Sequence, residues 1–214
     1  MVGTVFVIGL LLSLSVSGYV QDAGVQQFSV PSVSEQAVVS ESTTENLFQP
    51  VPDGTVEDVF LDEVEHQLSV LPSAFQQDMI EDDLVMYVTD KDIDEVFCDG
   101  QYGSVQGVTL TPSYGPCSIY IEDREQAAEN APVHEVGHWY DFYAGFLSSS
   151  DRFANIYAQE SDAFCHAFVV DFYYDKGEFF AEGFWKYWIE PDKLRAACPE
   201  LFAYLDSYLS EYKY

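Results

Sequence analysis

The apolar positions of this chain change period along its length. Val56, Phe60, Val64, Leu68 and Leu71 fall three and four residues apart, the repeat of one helix face, and Pro72 ends the run. Thr55 stands ahead of it as a cap, with Asp58 three residues on. SAFQQDMIEDD (73–83) predicts a second short helix. β-branched and aromatic residues then crowd LVMYVTD (84–90), SVQGVTLTP (104–112) and CSIYIED (117–123), which read as strands. The last two are joined by the turn signal Ser113-Tyr114-Gly115-Pro116. After residue 130 helical spacing returns, in helices over roughly 131–145, 151–168, 176–189 and 198–212. Helix, then strands, then helices gives an α+β class, a small antiparallel or mixed sheet packed against a mostly helical C-terminal half.

Composition adds an address and a charge. The first twenty residues, MVGTVFVIGLLLSLSVSGYV, carry no charged side chain. Phe6 to Val16 has the character of an export-signal core, and Val16-Ser17-Gly18 offers small residues for cleavage, so residues 1–18 read as a signal peptide and the protein as secreted. No Lys or Arg precedes the apolar run, and membrane association is expected only if this segment stays attached as an anchor. Residues 19–53 mix Ser, Gln, Val, Thr and Pro without a period and read as a flexible linker. Residues 54–214 form one domain, expected to be monomeric. With 37 Asp and Glu against 8 Lys and Arg, the formal charge of −29 excludes nucleic acid and anionic membranes as partners and favours basic peptide segments. The four cysteines of an exported chain suggest bridges, by sequence proximity Cys98–Cys117 and Cys165–Cys198, with free buried thiols as the alternative. The absence of any C-x2-C spacing argues against a zinc knot built from all four cysteines.

The chemistry concentrates in APVHEVGHWYDFYAG (131–145). Positions i and i+4 of a helix share a face, so His134 and His138 can aim ring nitrogens at one ion. Glu135 lies about 100° further round, poorly placed as a ligand with them but able to take a proton from the attacking water, the geometry of H-E-x-x-H peptidases. Gly137, between the histidines, leaves room for another segment to approach closely. A catalytic zinc needs a third protein donor, and GEFFAEGFWKYW (177–188) offers Glu178 and Glu182 at i and i+4 beside Phe180 and Phe184.

HEVGHWYDFYAG followed by EFFAEGF resembles the anthrax toxin lethal factor family of metallopeptidases, and within it the small secreted branch of proline–proline endopeptidases. The resemblance covers about residues 84–214, is strongest over 131–188, and extends to PDKLRAACPELFAYLDSYL. It implies a zincin-like fold, one Zn2+ per chain held by His134, His138 and Glu178, and Glu135 as the catalytic base. It makes Glu182 a support that orients a ligand histidine through its other nitrogen, and gives Asp141 a similar part. In one respect the chain departs from the family. The tyrosine that stabilises the oxyanion there falls here on Asp171, leaving Tyr173 and Tyr174 as candidates, with Tyr174 favoured because it is nearer the helix start.

The expected reaction is hydrolysis of internal peptide bonds in an extended protein substrate, added as a strand to an edge formed by VTLTP or SIYIE. The resemblance points to a proline-rich surface protein as substrate, while the acidic surface equally suits basic peptides. The alternative is a secreted zinc-binding or protein-interaction module without catalysis, for which the displaced tyrosine is the best argument.

Overall fold

The structure, a computed structural model, describes residues 6–8, 46–112, 114–170 and 175–213. Most of the segments read from the sequence as a signal and a linker lie outside the described residues. A five-stranded mixed sheet contains β1 (Phe6–Ile8), β2 (Val51–Asp53), β3 (Val85–Thr89), β4 (Gly107–Thr111) and β5 (Ser118–Glu122), in the order β1-β4-β5-β3-β2. β3 runs parallel to both β2 and β5, whereas β4 is antiparallel to β5 and to β1.

Alternation along the strands builds two faces. Met86 and Val88 of β3 lie opposite Ile119 and Ile121 of β5, and all four are buried in the main core. Between them Tyr87 and Tyr120 point to the other face and stack, with ring centroids 4.9 Å apart. A smaller apolar cluster of Ile93, Cys98, Val105 and Val108 fills the space under that second face.

The helices are α1 (Asp58–Leu68), α2 (Ser73–Glu81), α3 (Ile93–Phe97), α4 (Glu125–Asn130), α5 (Pro132–Tyr143), α6 (Asp151–Phe168), α7 (Lys176–Ile189), α8 (Pro191–Ala197) and α9 (Pro199–Leu209). Every residue of α5 from Pro132 to Asp141 is buried, because the helix packs on β4 as well as on α7. Phe75 of α2 anchors the aromatic core beside it, with Trp139, Tyr140, Phe184, Trp188 and Tyr212 around its ring. No helix among the described residues is long and apolar enough to cross a membrane.

The periodic helices fall where their spacing predicts, and four details differ. Residues 46–53, within the expected linker, pack on the domain, and Val51–Asp53 form β2. Phe48 is buried, and the backbone N–H groups of Leu47 and Phe48 donate to the Gln76 side chain at 2.9 and 3.1 Å. Helix α1 begins at Asp58, not at a Thr55 cap, since the chain turns at Gly54 (φ +106°) and the Thr55 N–H donates to Asp90. SIYIE is not an edge, because β5 is paired on both sides. The outer side of β4 pairs with Phe6–Ile8. Finally, none of the four cysteines forms a disulfide, so the expected bridges are absent. Cys98 sits in the small cluster and Cys117 in the main core, while Cys165 packs against the main core that contains Cys198 without a bond between them, and the Cys198 thiol faces the Glu160 carbonyl at 3.7 Å. Burial pushes the thiols of Cys117 and Cys198 up, to about 11 and about 12, as expected of small apolar groups that stay protonated.

Candidate metal centre

Helices α5 and α7 touch at Gly137. A Cβ there would lie 2.9 Å from the Ala181 Cα and 3.1 Å from the Ala181 carbonyl oxygen, so only glycine permits the approach. That closeness brings one face of α7 against the histidine face of α5. His134 Nε2 and His138 Nε2 are 3.1 Å apart, and the two oxygens of Glu178 lie 3.3 Å from the first and 3.4 Å from the second. These are the only three His, Cys, Asp or Glu residues among the described ones that gather as a potential ion site.

The spacing fits a divalent cation. Two donors held about 2.0–2.1 Å from a tetrahedral ion are separated by about 3.3–3.4 Å, the edge of the tetrahedron. The donor set of two imidazoles and one carboxylate leaves the fourth position of a zinc site open, and Glu178 is the least buried of the three. The electrostatics agree. Burial would lower the pKa of His134, but the neighbouring carboxylates of Glu178 and Glu182 outweigh it and raise the value to about 10. Burial would likewise raise Glu178, and His138 and His134 overturn that, holding its carboxyl far below the usual range. A pocket that stabilises a proton this strongly is one that welcomes positive charge.

Around the donors, Glu182 and Asp141 behave differently. Glu182 Oε1 is 3.4 Å from His134 Nδ1, long for a hydrogen bond but close enough to favour the tautomer that leaves Nε2 as the donor atom. Asp141 accepts from the backbone N–H and the hydroxyl of Ser148, at 2.7 and 2.6 Å, and not from a histidine ring, since Nδ1 of neither His134 nor His138 has a hydrogen-bond partner among the described residues. It therefore fixes the 3₁₀ turn Leu147–Ser149 that follows α5, and its support for the histidines is indirect.

Glu135 is fully buried, and desolvation raises its pKa although His138, His134 and Thr109 each pull it down. Its Oε2 accepts a hydrogen bond from the Thr109 hydroxyl at 2.7 Å, while Oε1 has no hydrogen-bond partner among the described residues. A Cβ on Gly107 would lie 2.8 Å from the Glu135 Cγ, so this carboxylate side chain occupies space that the glycine leaves. The sequence reading missed both strand residues. The available signal was a glycine inside a strand pattern, which marks close approach by another group. Tyr173 and Tyr174, like Asp171, lie outside the described residues.

Comparison with known proteins fits this geometry. Residues 117–208 match the family described as anthrax toxin lethal factor, N- and C-terminal domain. The fold is similar to that of the PRO-PRO endopeptidase PPEP-2 from Paenibacillus alvei, with a TM-score of 0.53 at 16% identity, over 74% of this chain and 96% of that one. No curated protein sequence matches the chain. The lethal factor resemblance and the zincin-like α+β fold expected from the sequence both hold.

Proposed function

We propose, from a lethal factor-type domain in which two imidazoles and a carboxylate converge on one point, that this chain is an exported zinc-dependent endopeptidase. The observation that carries the proposal is the meeting of His134, His138 and Glu178, the last two forty positions apart in sequence, with the ring nitrogens 3.1 Å apart and a Glu178 oxygen within 3.4 Å of each. When bound there, zinc supplies a Lewis acid that polarises the scissile carbonyl and makes water acidic enough to attack it near neutral pH. Glu135 takes the proton of the attacking water and returns it to the leaving amine. Its raised pKa suits both halves of that exchange, since a base of ordinary carboxylate strength would return the proton readily but accept it poorly. A tyrosine hydroxyl, from Tyr174 or Tyr173, donates to the oxyanion.

The substrate lies extended along the outer side of β4, bonded main chain to main chain. In support, that side of β4 already accepts an extended segment, Phe6–Ile8, in antiparallel register, with Ile8 opposite Thr109. The segment belongs to the export signal, and its removal frees the same edge for substrate. The name of the structural neighbour supports bonds between prolines as the first to test.

The test is digestion of a degenerate peptide library, enriched in proline pairs, by the wild-type protein and by Glu135→Ala. Cleavage by the first with almost none by the second is expected, together with about one zinc per chain in both and weaker retention in Glu178→Ala. Equal cleavage by both removes the role given to Glu135. Stoichiometric zinc without cleavage of any peptide establishes a binding module in place of an enzyme.

A further inference from the structure

Strand β4 presents Gly107 and Thr109 on one face, since alternate residues of a strand point the same way. That face meets the first turn of α5. Val108, between them, points to the smaller apolar cluster on the other side. Thr109 is fully buried, and a buried hydroxyl must find a partner. Its partner is Glu135 twice over: the hydroxyl lies 2.7 Å from Oε2 and 2.9 Å from the backbone carbonyl oxygen of the same residue. One proton is shared between side chain and main chain, so the hydroxyl links the carboxylate to the helix that carries it. Gly107 completes the cradle, because a Cβ there would meet Cγ at 2.8 Å and Oε1 at 3.0 Å.

We propose that Thr109 is the positioning residue of the Glu135 base. It holds Oε2, while Gly107 leaves the space for Cγ and Oε1, so that Oε1 is the oxygen that exchanges the proton. The inference rests on the reading of Glu135 as the base and adds which oxygen acts and what orients it. A valine at 109 would fill the same buried volume on a strand that favours β-branched residues. The sequence has the hydroxyl instead, and the contact explains it. A merely structural threonine would serve equally well bonded to any carbonyl of the sheet. This one is bonded to the group beside the metal donors.

The test compares wild-type protein with Thr109→Val, which keeps the shape and removes the donor, and Thr109→Ser, which keeps the donor. On the best peptide from the library, Thr109→Val should lower kcat by about 10- to 100-fold, the cost of a slightly misplaced catalytic group, with KM unchanged within about twofold. Zinc content should stay at about one per chain, and Thr109→Ser should recover kcat to within about threefold of wild type. An unchanged kcat in Thr109→Val overturns the proposal. So does a loss that Thr109→Ser fails to recover, or one that follows loss of zinc. If the valine protein does not fold, Thr109→Ala takes its place with the same expectations. Crystals of the zinc-loaded wild-type and donor-lacking proteins give a reading independent of turnover: the Glu135 carboxylate should turn away from its wild-type position, and an unmoved carboxylate refutes the inference. A wild-type protein that cleaves nothing defeats the proposed function instead, and the crystallographic comparison still decides the role of Thr109.

Discussion

His134 is fully buried with a carboxylate near each ring nitrogen, Glu178 at 3.3 Å and Glu182 at 3.4 Å. Against the effect of burial, the carboxylates of Glu178 and Glu182 raise its pKa from the ordinary 6.5 to about 10, so at neutral pH the ring carries a proton that the proposed zinc would have to displace. Zinc uptake at pH 7 should therefore release about one proton, read by titration calorimetry in buffers of different ionisation enthalpy, and a buffer-independent heat would contradict it. The sign for stability follows from the same shift. A group whose folded pKa is raised stabilises the fold fully below its unfolded value and loses that contribution as pH rises through the folded one. The chelated protein should thus lose melting temperature between pH 6.5 and about pH 10, while the zinc-loaded protein, with no proton there to lose, should not follow it. Glu182→Gln tests the outer contact: about a 10- to 100-fold weaker zinc affinity is expected, measured by chelator competition, and an unchanged affinity would make Glu182 a bystander.

At the scale of elements, the site exists because α5 and α7 approach within reach of one shared ion, and Gly137 sets that distance. Alanine favours helix by about 1 kcal/mol over glycine, which would make Gly137→Ala stabilising on an isolated helix. Here the new methyl would lie 2.9 Å from the Ala181 backbone, and forcing overpacked helices apart costs about 1–3 kcal/mol. A net loss of stability in denaturant titrations, with weaker zinc binding, is the expected outcome; a more stable protein would show that the helices can slide. Removal of residues 1–18 makes a second test, since β1 lies on the edge of β4 proposed for substrate. The shortened chain should cleave peptides faster than the full-length one through a lower KM, and equal KM values would leave β4 without that role. The histidine helix and its carboxylate partner were legible in the sequence because their chemistry is local: two donors at i and i+4 in each segment, and a glycine between the histidines. The short helices α3, α4 and α8, of five to seven residues, are too brief to establish a period, and tertiary contacts fix them instead. Thr109 and Gly107 escaped notice for a related reason. Their meaning depends on β4 crossing the start of α5, a pairing twenty-six residues apart that no periodicity records.

The whole molecule carries its chemistry on a strongly acidic body, and the −29 formal charge acts at longer range than any contact discussed above. Eight cationic side chains cannot neutralise thirty-seven acids, so the folded state bears its own repulsion. Salt screens such charges over about 10 Å at 0.1 M, and the melting temperature should rise as sodium chloride goes from low to physiological concentration. The same field acts on substrate. A peptide with lysines flanking its scissile bond is drawn toward the protein, while an otherwise identical peptide with glutamates is repelled. At low ionic strength kcat/KM should therefore favour the lysine peptide, and the preference should shrink as salt is added, because steering acts on encounter and is screened, whereas contacts made within the cleft are not. A preference that salt leaves unchanged would instead locate the discrimination in side chains touching the peptide, and the surface charge would then serve solubility alone.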